Sequence, residues 1–241
     1  MTYSPLLAII TGVLEFAVAI WVFSGLGRGR KRILAPTGLI FLLLAGYQFA
    51  EVAVCAGPEV KIFSQLAYFD ITWLPPIGLW LLSQINRPKM RWLRLAAFID
   101  IAAAAGLSIW ILTSPHIITR SVCYTVISRF YLSFHFDFIY GVFYQSSLTL
   151  LIFASAAGMA STDDPVLRKH WANFQVGILA FVLPALYVRI LTDEPFGILP
   201  SVMCHFALLL AISLFFIVLR ERRTPQAHEE NGRSGPGPLA L

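Results

Sequence analysis

Seven long apolar stretches divide this sequence, and they constrain its fold more than any other feature. A helix rises about 1.5 Å per residue, so about 20 apolar residues are needed to cross the hydrocarbon layer of a bilayer. The stretches that meet this length cover residues 6–25, 34–55, 62–84, 93–113, 136–158, 171–191 and 200–219. The sequence therefore predicts an all-α integral membrane bundle of about seven transmembrane helices over residues 1–219. Residues 220–241 are charged, then rich in Gly and Pro, and are predicted to form a disordered cytoplasmic tail.

The composition argues against a soluble domain. The chain is 58% hydrophobic and only 13% charged, whereas soluble domains carry about 25% charged residues. The net charge of +5 would suggest nucleic acid as a partner of a soluble protein, but here the basic residues lie in short loops between apolar stretches. We therefore expect the lipid bilayer as a partner, and no nucleic acid.

The distribution of Lys and Arg predicts the orientation. Fourteen of the 18 lie in the first, third and fifth loops and in the tail. The positive-inside rule assigns that side to the cytoplasm, which puts the N-terminus outside and the C-terminus inside. The four exceptions are Lys61, Arg120, Arg129 and Arg189. We expect a multi-pass protein of the cell membrane, in a bacterial inner membrane, without a cofactor.

The connection between the fourth and fifth stretches, residues 114–134, is longer than the other loops. Its apolar residues alternate over short runs, which is compatible with an external β-hairpin. An amphipathic segment packed on the bilayer surface is an equally good interpretation. Cys123 lies in this connection, and Cys55 ends the second stretch on the same, outer side. Because that side is oxidising in a bacterial inner membrane, we predict a disulfide between them.

Ionisable side chains inside a membrane are costly and are functional candidates by default. Counting residues along each helix places Glu51, Asp70, Arg189 and His205 in the outer half of the bilayer. We predict that these four line one outward-opening polar pocket. The alternative is ordinary structural pairing, for example of Glu51 with Arg189. Glu15 and Asp100 lie deeper in the membrane or closer to the cytoplasm.

A metal site is a further hypothesis. His135, Asp137 and His205 are weak candidates for zinc ligands at the outer surface. His135 and Asp137 are two positions apart, so they point in different directions on a helix. The paired His-x-x-x-His pattern of seven-helix zinc hydrolases is absent, and we expect neither a metal nor catalysis.

Three segments carry a family resemblance. They are Gly46-Tyr47-Gln48-Phe49-Ala50-Glu51, Leu74-Pro75-Pro76, and Ser201-Val202-Met203-Cys204-His205-Phe206-Ala207. The chain resembles small uncharacterised bacterial seven-helix membrane proteins and, more distantly, the seven-helix sensory region at the N-terminus of some bacterial histidine kinases. A kinase would continue into a dimerisation helix and an ATP-binding domain, so we expect no phosphotransfer by this chain itself. The resemblance to the small stand-alone proteins implies no established function.

Three classes of function remain open. The first is a small-ligand sensor or binding protein with an outer polar pocket, which passes a signal to a cytoplasmic or membrane partner. The second is a small carrier or channel, which predicts a polar path from Asp70 to Glu15 and Asp100. The third is a metal-dependent membrane hydrolase, which predicts that His135, Asp137 and His205 converge on one point. The sequence identifies neither the ligand nor the oligomeric state.

Overall fold

The computed structural model describes residues 5–27, 31–57, 60–85, 91–114, 116–124, 128–192 and 199–223. Within the last two ranges, the side chains of residues 188, 189, 191, 192, 199–201, 204, 205, 222 and 223 lie outside the description.

Seven helices make up most of the described chain, as the apolar stretches predict. They are α1 (Leu6–Ser24), α2 (Lys31–Ala56), α3 (Val60–Ile85), α4 (Arg91–Thr113), α5 (Phe134–Ser161), α6 (Pro165–Thr192) and α7 (Leu199–Arg223). The largest difference from the prediction is at the start of α6, six residues early. Asp164 explains the early start of α6, because its Oδ1 caps the helix by accepting a hydrogen bond from the backbone N–H of Val166 at 2.8 Å. Pro165 occupies the first helical position, where a missing N–H costs nothing. The predicted tail after Arg223 lies outside the described residues.

Four of these helices, within the described residues, are long and apolar enough to cross a membrane: α1, α2, α4 and α5. Helix α3 carries more polar residues, but neighbouring helices cover it. Its hydroxyl groups are satisfied locally: Ser64 donates to the carbonyl of Val60, and Thr72 to the carbonyl of Tyr68, both at 2.6 Å. A helix that contacts protein on most sides does not need the apolar surface that lipid requires.

Successive helices run antiparallel, and glycines allow close approach. An added Cβ at Gly12 in α1 would lie 3.1 Å from the Cβ of Gln48 near the end of α2, and one at Gly38 near the start of α2 would meet the ring of Phe23. In the same way, Gly177 of α6 lies against Ser213 of α7. The outward faces of the bundle are apolar. Phe98 of α4, for example, is 70% exposed, which is costly in water but suits contact with lipid.

The connection between α4 and α5 forms a β-hairpin. Strand β1 (Ile118–Cys123) pairs antiparallel with β2 (Ser128–Leu132), and Val122 lies opposite Arg129. Of the two interpretations of this segment, the hairpin is therefore correct. It lies where α2 and α4 end and α3 and α5 begin, and we call this end of the bundle the hairpin end.

Candidate functional site

Covalent and polar contacts attach the hairpin to α2 and α3. Cys123 at the end of β1 is disulfide-bonded to Cys55 in α2, with 5.8 Å between the Cα atoms. This is the pair that we expected from the sequence, and the spacing is in the usual range for a disulfide. The hydroxyl oxygens of Ser121 in β1 and Ser64 in α3 are 3.0 Å apart. The hairpin is thus held on two helices from its first strand.

The second strand is held by a carboxylate from inside the bundle. Oε1 of Glu51 in α2 accepts a hydrogen bond from the backbone N–H of Ser128 at 3.0 Å, and both residues are buried. A backbone N–H at a buried strand end needs an acceptor, and Glu51 supplies it. The described geometry therefore gives Glu51 a structural role.

An aromatic cluster joins the hairpin to the helices. The ring of Tyr68 in α3 meets the rings of Phe130 in β2 and of Phe136 and Tyr140 in α5 edge-on, at centroid distances of 5.4, 6.4 and 5.4 Å respectively. Trp110 of α4 meets Phe136 at 5.2 Å. All but Trp110 are nearly fully buried. We call these five residues the aromatic cluster; each such contact adds about 0.5–1.5 kcal/mol beyond area burial.

A groove of about 410 Å³ opens at the hairpin end, between the first turn of α3 and strand β1. Its volume is in the usual range for small-molecule sites. The lining residues are Val60, Lys61, Ser64, His116, Ile118, Thr119, Arg120 and Ser121. We call it the hairpin groove.

The side chains of the hairpin groove are basic at the rim and hydroxylic at the floor. Lys61, His116 and Arg120 are exposed, whereas Ser64 is fully buried and Ser121 is partly buried. Ile118 adds a buried apolar surface. Among the described residues, the lining contains no acidic side chain, so the groove can hold a polar ligand with an apolar portion.

The structure describes two of the four residues predicted to form the outer pocket. Glu51 contacts the hairpin, as described above, while the carboxylate of Asp70 in α3 packs against Gly46 of α2. Neither lines the hairpin groove. Arg189 and His205 are in α6 and α7, but their side chains lie outside the described residues. The shared pocket of these four residues therefore stays a prediction.

Two further carboxylates lie within the helices. Oδ1 of Asp100 in α4 accepts a 2.6 Å hydrogen bond from the hydroxyl of Ser147 in α5. Glu15 in α1 is only 1% exposed, and neither of its carboxylate oxygens has a hydrogen-bond partner among the described residues. Unpaired buried carboxyl groups are rare, so Glu15 is a second point of interest, remote from the groove.

The metal hypothesis is tested only in part. His135 is exposed at the start of α5, where its ring meets that of Phe134, and Asp137 follows one turn into the helix, half-buried. His205 has no described side chain. In the part of the chain that the structure describes, no three His, Cys, Asp or Glu side chains group as metal ligands.

A second cavity, of about 20 Å³ and with a largely apolar lining, lies beside Pro75 of α3 in the middle of the bundle. Pro75 and Gly78 line it together with Leu151 of α5 and Phe174 of α6. Its apolar lining argues against a polar chamber at this depth. Helix α3 continues through both Pro75 and Pro76 without interruption.

Sequence reasoning missed the hairpin groove, although one signal pointed to it. Lys61 and Arg120 are two of the four basic residues that depart from the positive-inside pattern. The structure brings these two to one groove. Basic residues that depart from the positive-inside pattern are therefore the sequence signal for this groove.

Comparison of the chain with protein-family models, with curated proteins and with solved structures found no match.

Proposed function

We propose that this chain is a seven-span membrane protein that binds a small ligand in the hairpin groove, on the outer side, and transmits its binding to the opposite end of the bundle. Three features support seven spans with the hairpin end outside. Each helix has at least 19 residues, enough for about 28 Å. Successive helices are antiparallel, and the basic residues are concentrated at the end opposite the hairpin.

The observation that carries the ligand-binding proposal is the hairpin groove itself. One wall is the first turn of a central helix, and the other is strand β1, which the Cys55–Cys123 disulfide ties to α2. The paired strand β2 is held in turn by the buried hydrogen bond from Ser128 to Glu51. A site built on such fixed elements is pre-organised, so little ordering entropy opposes binding.

The path for a signal is continuous and packed. Strand β2 leads directly into α5, with the backbone N–H of Ser133 bonded to the carbonyl of Ile117 at 2.8 Å. Phe130 and Phe136, on either side of this junction, both contact Tyr68 of α3. A ligand that shifts β1 against α3 would therefore bias the position of α5. Helix α5 ends at Ser161, at the opposite end of the bundle.

The topology is tested with reporter fusions after Gly27 and Gly57. We expect a cytoplasmic signal at Gly27 and an external one at Gly57. A cytoplasmic signal at Gly57 would overturn the orientation, and with it the external position of the groove.

Binding and transmission are tested on protein in lipid nanodiscs. Compounds that raise the unfolding temperature would be tested again on Thr119→Trp, which fills the groove, and on Tyr124→Trp, an exposed hairpin control outside the groove. We expect binding to fail only in Thr119→Trp. Binding that survives in Thr119→Trp would place the site elsewhere.

A fluorophore on Ser161→Cys, in a Cys204→Ala background, reports on transmission. The label is at the exposed end of α5. We expect bound ligand to change its emission, and expect no change with Thr119→Trp. An unchanged signal at saturating ligand would contradict sensing and leave a binding protein.

Transport is the second candidate, and the buried carboxyl group of Glu15 favours it. The same ligand, in radiolabelled form, would be offered to proteoliposomes. Accumulation that is lost with Glu15→Gln while groove binding persists would support a carrier in place of a sensor.

A further inference from the structure

We propose that the ligand of the hairpin groove is a small organic anion, a carboxylate or phosphate group on a short apolar body; this inference rests on the binding function proposed above. Its first support is charge. Lys61 and Arg120 are cationic and line the groove together with His116, and no acidic side chain lines it among the residues that the structure describes. Such a groove attracts anions and repels cations.

The three basic side chains of the groove are available to a ligand. In the described part of the chain, Lys61, His116 and Arg120 form no ion pair or hydrogen bond. The nearby Arg129 differs, since its guanidinium lies 4.6 Å from the ring centroid of Tyr131. Arg129 does not line the groove and thus provides a matched basic control on the same hairpin.

The position of these charges in the topology is the second support. Of 18 Lys and Arg residues, only four depart from the positive-inside pattern, and Lys61 and Arg120 converge although they are 59 positions apart. A role in membrane insertion does not account for them, because basic residues on the outer side oppose the predicted orientation. Recognition of an anion does account for them.

The shape and lining indicate more than a bare inorganic ion. A volume of about 410 Å³ exceeds what phosphate alone would fill, and Val60 and Ile118 offer an apolar wall beside the cations. The hydroxyl of Ser64 already donates to the carbonyl of Val60 and its oxygen is 3.0 Å from that of Ser121, so recognition of the oxyanion falls to the cationic rim. The backbone N–H groups in the first turn of α3 add a favourable dipole, but they are secondary to the three side chains.

The test uses four ring compounds that differ in charge: benzoate, phenyl phosphate, neutral benzamide and cationic benzylamine. Each is titrated by calorimetry into the protein in phosphatidylcholine nanodiscs at low ionic strength. We expect the two anions to bind, benzamide and benzylamine to bind at least tenfold more weakly, and the anion affinity to fall as salt rises.

The variants assign the effect to the groove. Lys61→Gln and Arg120→Gln should each weaken anion binding about tenfold, because each removes a charge-assisted contact. Arg129→Gln should stay within about twofold of wild type. Anion binding that is equal in all three variants would overturn the inference, as would the absence of binding by both anions at millimolar concentration.

Failure of the anion inference is distinguishable from failure of the groove as a binding site. If benzamide or benzylamine binds more tightly than the anions, and Thr119→Trp abolishes that binding, the ligand class is wrong while the binding function stands. If the anions bind but Thr119→Trp has no effect, the anion site lies elsewhere and both proposals fail.

A further arm separates a soluble anion from a lipid headgroup that carries the same chemistry. The titrations would be repeated in nanodiscs containing phosphatidylglycerol. Unchanged affinity for phenyl phosphate assigns the groove to a soluble anion. If phenyl phosphate binds wild type more weakly in phosphatidylglycerol, while the Lys61→Gln variant binds it equally in both lipids, the groove is assigned to the anionic headgroup. Both results keep the anion chemistry.

Discussion

Glu51 and Ser128 are 77 positions apart in sequence, yet a carboxylate oxygen of the first accepts the backbone N–H of the second at 3.0 Å. The contact fixes the start of β2 on α2, so a side chain inside the helical bundle sets the position of the hairpin outside it. We predict that Glu51→Leu lowers the free energy of unfolding by about 1–3 kcal/mol, because the buried N–H of Ser128 loses its acceptor.

Glu51→Gln is the matched variant, because its amide carbonyl can still accept the hydrogen bond. We expect it to lose less than half as much stability. Denaturation in mild detergent measures both, and limited proteolysis reports on the hairpin. Equal losses in the two variants would mean that the charge matters, and not the hydrogen bond to Ser128.

The Cys55–Cys123 disulfide gives the second prediction. Without reductant, maleimide should modify neither cysteine, and after reduction in denaturant it should modify both. The double variant Cys55→Ser/Cys123→Ser should lose about 2–4 kcal/mol of stability. Reduced wild type is the control and should match the double variant. Modification of both residues in unreduced protein would rule the bond out.

The contact between Gly46 and Asp70 gives the third prediction. A Cβ at Gly46 would lie 2.5 Å from Oδ2 of Asp70, the end of a side chain that can turn aside, so Gly46→Ala should cost only about 1 kcal/mol, the low end of the range for overpacking. Adding Asp70→Ala should remove most of that cost. Gly106→Ala is the control, since nothing lies within 4 Å of the added methyl there. A double-mutant cycle without coupling would contradict the contact.

Gly158 tests the packing of α5 on α6. An added methyl would collide with the indole ring of Trp171, which is fully buried. A buried ring cannot move aside as a terminal carboxylate can, so Gly158→Ala should destabilise the protein more than Gly46→Ala. Thermal unfolding of the two variants, measured side by side, shows which one loses more stability. A larger loss in Gly46→Ala would show that the interface between α5 and α6 accommodates the added methyl group.

His170 and Glu221 give the fifth prediction. Nδ1 of His170 in α6 lies 3.6 Å from Oε1 of Glu221 in α7, and both side chains are buried. We expect His170→Gln and Glu221→Gln to be non-additive, with a coupling of about 0.5–3 kcal/mol. Lys169 is the exposed neighbour of His170, and Lys169→Gln is therefore the control. It should show no coupling with Glu221→Gln. Additive losses would show that the two groups act independently.

The sequence by itself determined the positions of the helices and the pairing of Cys55 with Cys123. Chain segments such as 93–113 could be assigned because lipid leaves a backbone few alternatives to a helix, and length and hydropathy then mark its ends. Cys55 and Cys123 could be paired because the order of the predicted helices puts both at one end of the bundle. The hairpin itself was only one of two interpretations, since a short alternating pattern does not distinguish pairing from surface binding.

Only the tertiary structure decided which way the polar residues point and which of them meet. Counting along α2 gives the depth of Glu51 and Gly46, but the two positions are about 140° apart around the helix axis. Which direction faces α3 or the hairpin depends on neighbours that no local pattern encodes. Asp70 thus meets Gly46 while Glu51 meets Ser128. Lys61 and Arg120 likewise belong to a helix and a strand far apart in sequence, and folding of the connection over α3 is what brings them to one groove.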